Sequence, residues 1–297
     1  MKRIGLILGG GGANGRFQVE VFRILRDKYG LDLAALAYIA GISTGALQAA
    51  GLRKGGLPLL ERVWNGVTES DVFRRRGWIS AAWHFMRGGL GLYDHRPLRK
   101  LLKRELGEAV LDADVGFVRI DDGALKYEVA AVDTVMASCT IPLAFEPVEG
   151  PADPETGIRP LLVDGGLATV CPIGQAMGRE LDQVIVISCN NLDGVPFKRP
   201  RNIVELALRC WEILYWIHQR NDVDGYNRIN RILAQIQPGH PPIVSESGRP
   251  YTHGDVVFIQ PSKSGLPSTL DFSAGAMAAR VAAAAPAVHT AMEGRAA

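Results

Sequence analysis

Two glycine-rich turns near the start of the chain constrain its fold more than any other feature. Ile4 to Leu8 is an apolar run that enters Gly9-Gly10-Gly11-Gly12-Ala13-Asn14-Gly15, and Ala35 to Ala40 leads into Gly41-Ile42-Ser43-Thr44-Gly45. Each turn opens into a helix-like segment. After the first, Phe17, Val21, Ile24 and Leu25 recur at i, i+4, i+7 and i+8, which is one face of a helix. After the second, Ala46 to Leu52 reads as a helix of small residues able to approach the glycine loop closely. Strand, turn and helix repeated in this way predict a parallel sheet with crossover helices.

The chemistry of the turns follows from their residues. A glycine loop at a strand end offers backbone N–H groups to a negative charge. Gly-x-Ser-x-Gly between strand and helix has the form of a nucleophile elbow. Its glycines let Ser43 adopt a strained turn, with Oγ above the sheet and the backbone N–H open. Side by side, the turns read as an oxyanion-binding loop facing a nucleophile, the layout of acyl transfer or hydrolysis. Gly10-x-Gly12-x-x-Gly15 also satisfies the dinucleotide fingerprint, so a nucleotide-binding regulatory protein is the rival reading. That fingerprint wants an acid about 20 residues on, at the next strand end. Here the strand ends in Gly41-Ile42-Ser43, and no Gly-Lys-Ser/Thr follows the loop.

A chain of 297 residues with 47% hydrophobic and 22% charged residues can bury a full core. A net charge of +2 gives no argument for a nucleic-acid partner. Cys139, Cys171, Cys189 and Cys210 form no Cys-x-x-Cys pair and read as reduced, mostly buried thiols. The apolar run after Lys2 and Arg3 is five residues long, short of the roughly 7–15 of a signal peptide. A cytoplasmic protein is expected, and residues 1–297 read as a single domain.

Further along, Leu98 to Leu106 resembles a short amphipathic helix. Gly116 to Ile120 and Leu125 to Val132 are strands joined by Asp121-Asp122-Gly123, and Val132 to Cys139 is a short helix. Leu161-Leu162-Val163 is a strand ending in Asp164-Gly165-Gly166, and Val184 to Ser188 is a buried parallel strand. A loop at Asn190 to Asn202, a helix from Ile203 to about Arg220, a loop over 236–255, a strand at Val256 to Gln260 and a helix from Ser273 to Ala285 complete the reading. Trp211, Tyr215 and Trp216 share a helical face with Leu208 and Leu214, as core or pocket wall. Between 66 and 91 the pattern breaks: Arg74-Arg75-Arg76, Trp78, Trp83, Phe85, Met86 and Arg87 mix cations with aromatics. They suit either a cover that meets a lipid surface or aromatics in the core with solvated arginines.

A serine nucleophile needs a base. None of His84, His95, His218, His240, His253 and His289 lies in a strand-end glycine context. Asp164 does, although an Asp-Gly-Gly alone is more often a turn.

In combination, these segments resemble the patatin-like phospholipases over roughly Arg3 to Ile187, with a weaker echo toward the C-terminus. The glycine loop, the elbow, Ala137-Ser138-Cys139-Thr140-Ile141-Pro142-Leu143-Ala144-Phe145-Glu146-Pro147 and Val163-Asp164-Gly165-Gly166 occur in the family's order, and Tyr93-Asp94-His95-Arg96-Pro97-Leu98 is similar to a further segment. The resemblance implies a patatin-like, three-layer α/β/α sandwich with a mostly parallel central sheet. Its core motifs lie within 3–187, and 201–297 form a helical and loop part of the same domain. It implies a serine acyl hydrolase of lipid esters with Ser43 as nucleophile, Asp164 as general base and Gly10, Gly11 and Gly12 as oxyanion hole. Neither cofactor nor metal is expected, and the partner is a lipid ester, with peripheral membrane contact through Arg74 to Arg87. A catalytically idle lipid-binding relative is the remaining alternative; acyl length, head group and oligomeric state are not specified. Asn14 stands where many members carry Arg or Lys, which weakens the case for a phosphate-bearing substrate. Glu20 and Phe22 replace the usual Gly and Leu of the next helix.

Overall fold

The structure is a computed structural model describing residues 2–293 except 155, 195–198, 202, 238–239, 246–247, 249, 253–254 and 264. His253 and parts of the 190–202 and 236–255 segments lie outside the described residues. In chain order the first half comprises β1 (Ile4–Leu8), α1 (Gly15–Tyr29), β2 (Tyr38–Ile42), α2 (Thr44–Gly66), α3 (Glu69–Val72), β3 (Arg74–Arg75), α4 (Trp78–Met86), β4 (Tyr93–Asp94) and α5 (Arg96–Leu106). The second half comprises β5 (Leu111–Arg119), β6 (Ala124–Ala130), α6 (Val132–Ser138), β7 (Val148–Glu149), β8 (Leu161–Asp164), β9 (Gln183–Ile187), α7 (Ile203–Leu233), β10 (Asp255–Ile259) and α8 (Ala274–Glu293).

Among the described residues the main sheet runs β10-β9-β1-β2-β5-β8-β7, with β6 on the free edge of β5. The pairs from β10 to β5 are all parallel, whereas β6, β7 and β8 add antiparallel strands at one end. Alternation along the strands makes two cores. Leu6, Leu8, Ile185, Ile187, Val257 and Ile259 face the layer of α1, α2 and α8. Ile7, Val184 and Val186 face the opposite way, toward Ile173, Met177 and Tyr226 of α7. Helices thus cover both faces of a mostly parallel sheet, the expected α/β/α arrangement.

Three helices run further than the sequence suggests. α2 continues past Leu52 through a kink at Gly56 because Leu57, Leu60 and Trp64 go on burying its inner face. Its Gly55-Gly56 and Pro58 read locally as breakers. α7 extends beyond Arg220 because Val223 and Tyr226 continue the buried stripe that holds Tyr215 and Gln219. α8 accommodates Pro286 and reaches Glu293, burying Ala284, Ala287 and Val288. The predicted helix at Leu98 to Leu106 is α5, where Leu98, Leu102 and Leu106 bury one stripe and Gly107 ends it at φ 63°.

Candidate active site

The register of β5 brings the two candidate catalytic residues together. β6 occupies one edge of β5 along its length, so β2 and β8 share the other edge. They approach from opposite directions: Ile42 of β2 faces Gly116, and Asp164 of β8 faces the next residue, Phe117. The tips of the two strands therefore abut. Ser43, one residue past β2, lies beside the Asp164 carboxylate and stabilises its charged form.

Ser43 occupies the turn between β2 and α2 at φ 54° and ψ −125°. A residue with a side chain is held there only when its surroundings over-determine the conformation. Here the turn is wedged against β1, since a Cβ on Gly45 would collide with the Leu8 carbonyl. The Ser43 carbonyl caps the first turn of α2 by accepting from Ala46 and Leu47. The Ser43 N–H is not open, contrary to the expectation from the motif: it donates to Ser138 Oγ at 2.8 Å, and Ser138 Oγ donates to Gly116 O at 2.6 Å. Ser138 on α6 thereby ties the elbow to β5.

Asp164 is fully buried. Its Oδ1 accepts the Gly166 N–H and the Tyr215 hydroxyl, each at 2.8 Å, while Oδ2 has no hydrogen-bond partner. Burial raises its pKa from 3.8 to about 6, opposed by Gly166, Ser43 and Tyr215. Such a carboxylate is charged at neutral pH yet basic enough to take a proton. The Tyr215 hydroxyl is held protonated, because burial and the Asp164 charge both push its pKa upward. Cys139 also lies against the site, donating to the Ser43 carbonyl at 3.2 Å. Burial pushes its thiol well above the ordinary value, so it is packing rather than a rival nucleophile.

The glycine loop leaves β1 on the same rim. Gln18 fixes its base by donating to Gly9 O at 2.9 Å and Ile187 O at 3.1 Å. The three glycines are not equivalent, which narrows the expected oxyanion hole. Gly10 N–H is engaged with Val170 O at 3.2 Å, whereas Gly11 and Gly12 N–H make no hydrogen bond within the described residues. Gly10 contributes space instead, since a Cβ there would stand 3.1 Å from Ser43 Cβ. Asp222 of α7 supports this arrangement by accepting from Thr169 Oγ1 and from the N–H groups of Val170 and Cys171.

Asn14 does not stand free beside the loop. Its Oδ1 accepts Nε of Arg280 at 2.7 Å, and the same guanidinium donates to Asp271 O and Ser268 O. Arg280 is fully buried on α8, so a cation does reach the glycine loop, but from the far end of the chain. Thr269 O accepts Ala13 N–H and joins this segment to the loop. Glu20 pairs with Arg23, and Phe22 is core. No described histidine hydrogen-bonds Ser43 or Asp164; His84 pairs with Glu146 and His289 with Glu293.

Sequence reasoning missed Tyr215 as a partner of Asp164, placing it only in the core or a pocket wall. A Cβ at Gly166 would overlap the Tyr215 ring, a contact that only the three-dimensional path of the chain reveals. Beside Ser43 opens an apolar cavity of about 100 Å³, walled by Leu47, Leu60, Trp64, Leu102, Phe145 and Phe272. Glu105 also lines it, held by Arg62 and Arg104.

A family model for patatin-like phospholipases matches residues 6–177. The chain belongs to the patatin-like phospholipase family. Membership places it among lipid acyl hydrolases at the level of the family. Among solved structures, the crystal structure of VipD from Legionella pneumophila is similar, with 12% sequence identity and a TM-score of 0.48, covering 99% of this chain and 67% of that one. No curated protein matches the sequence. Tyr215, Asp222 and Arg280 all lie beyond the matched segment, although they bond to residues within it.

Proposed function

We propose that the protein hydrolyses carboxylic esters of lipids through a Ser43–Asp164 dyad. The observation that carries this reading is the buried Asp164 Oδ2, left without a partner beside a serine in strained left-handed geometry. Asp164 takes the Ser43 hydroxyl proton as Oγ bonds to the ester carbonyl carbon. The carbonyl oxygen becomes an oxyanion that Gly11 and Gly12 N–H would receive, at the positive end of α2. Collapse breaks the bond to the alcohol, which leaves with the proton held by Asp164. Water then attacks the acyl-serine, again giving its proton to Asp164, and the fatty acid departs as Ser43 recovers its hydrogen.

The cavity supports a lipid acyl chain rather than a polar acyl group, because apolar side chains form nearly all of its wall. A phospholipase A, lysophospholipase or acylglycerol esterase all fit that wall. The deciding experiment measures fatty-acid release from phospholipid, lysophospholipid and monoacylglycerol, with Ser43→Ala as control. Release from at least one lipid, abolished in the variant, is expected. No release from any lipid, or equal release by the variant, would refute the proposal.

Two further results are expected. The base works only when ionised, and its pKa stands at about 6. The pH profile of kcat/KM should therefore rise about tenfold per pH unit below that value and level off above it. A profile flat from pH 4 to 8 would remove Asp164 as the base. Tyr215→Phe deletes one hydrogen bond to the carboxylate, so the rising limb should move to higher pH while turnover on its plateau falls by about tenfold. An unmoved limb would leave Tyr215 with a packing role only.

A further inference from the structure

The oddest element of the chain is α4, a helix with no buried side chain. Nine residues are too few for a stable isolated helix in water, so α4 needs a surface to pack on. Only Ala81 and His84 turn partly inward. Trp78, Ile79, Ala82, Trp83 and Met86 recur at i, i+1, i+4, i+5 and i+8 and form one outward face. Trp78 is 83% exposed, Met86 72%, Ile79 57% and Trp83 54%, with Phe85 alongside. A contiguous apolar patch of this kind marks a contact surface.

Charge decides what the surface fits. Arg74, Arg75, Arg76 and Arg87 flank the helix, and among the described residues only Arg75 has an ion pair, with Glu69. His84 is the only ionisable residue within α4, and Glu146 is the acid that faces it. Apolar residues with tryptophan at the centre, the exposed Arg74 beside them and Arg87 stacked over the Trp83 ring match the boundary of an anionic bilayer, where rings enter the acyl edge and guanidinium groups meet phosphates.

Position links the surface to the cavity. Phe73, just before the arginines, is buried against Tyr93, Phe145 and Phe272, with ring centroids 5.0, 5.9 and 6.4 Å away. Phe145 and Phe272 are walls of the apolar cavity. On the other side of α4, Glu146 accepts His84 and the N–H groups of Leu90 and Gly91. One end of the excursion therefore packs on two residues of the cavity wall and the other is held by Glu146, next to Phe145, while Leu143, 68% exposed, projects from the same segment. We propose that α4 and its flanking arginines dock the protein on anionic lipid surfaces, beside the cavity that opens at Ser43. Docking of this kind does not depend on Ser43 chemistry.

Co-sedimentation with phosphatidylcholine vesicles, with and without phosphatidylglycerol, tests this. Using Ser43→Ala as the background keeps the vesicles intact and separates binding from hydrolysis. Binding should require phosphatidylglycerol and weaken at 1 M salt. Trp78→Ser with Trp83→Ser should lower it by at least about tenfold. On the active background, the same double variant should retain its melting temperature and its turnover of a soluble nitrophenyl ester. Arg74→Ser with Arg87→Ser should mimic the loss on anionic vesicles. Absence of vesicle binding, equal binding by the tryptophan variant, or a stable dimer that buries α4 and ignores vesicles would overturn the proposal.

Discussion

Replacing Ser43 by alanine should lower ester turnover by about 10⁵–10⁶-fold while leaving a folded protein. Removing the hydroxyl removes the atom that bonds to the acyl carbon, and no neighbour can take its place. The nearest sulfur, on Cys139, is fully buried and its thiol is held protonated. The backbone adds a diagnostic. Ser43 and any alanine in its place share the strain of φ 54°, which glycine does not feel. Ser43→Gly should be equally inactive yet melt higher than Ser43→Ala, by an amount equivalent to about 1 kcal/mol. Circular dichroism and thermal melts of the two variants measure this. Retained turnover in either would remove Ser43 from the chemistry.

Asp164→Asn should cost roughly 10³–10⁴-fold in turnover. The amide can still accept the Gly166 N–H and the Tyr215 hydroxyl, so the strand tip keeps its shape, but it cannot take a proton. Stability should move in the other direction. The carboxyl has a folded pKa of about 6 against an ordinary 3.8, so ionising it in place costs about 3 kcal/mol. Because the folded value is raised, the favourable contribution is full below about pH 4 and is lost as pH rises through 6. At pH 8 the variant should therefore melt at or above the wild-type temperature, with the difference shrinking toward pH 4. A variant that unfolds readily at pH 8 would mean that Asp164 supports the fold rather than the reaction.

Much of the fold was legible because the apolar runs are short and the first two lead into glycine turns. Ile4 to Leu8 and Val184 to Ile187 alternate between the two cores of the sheet, and so does Tyr38 to Ile42, a strand that starts three residues later and ends two residues later than the run Ala35 to Ala40 suggests. Local reading failed where tertiary burial overrode local breakers, as at Gly56, Pro58 and Pro286, which lie inside helices that keep an apolar face. In the candidate site, Ser43 and Asp164 stood out because each follows an apolar strand and adjoins glycine. Their supports did not. Tyr215 and Arg280 reach Asp164 and Asn14 across 51 and 266 positions of sequence, and nothing local distinguishes them from other helix residues. The division of labour within Gly10, Gly11 and Gly12 depends on Val170 O, a backbone acceptor that no side-chain pattern reports. Ser138 was visible only as part of a longer motif, and its grip on the Ser43 N–H required the elbow's three-dimensional path.

The most direct test of the account is covalent capture of the nucleophile. Wild-type protein is treated with a lipid-like fluorophosphonate and digested, and the adduct is located by peptide mass spectrometry. A single phosphonyl group on Ser43, slower to form below pH 6 and absent from Ser43→Ala, is the expected outcome. An adduct on another residue, or labelling of Ser43→Ala at the wild-type rate, would contradict it.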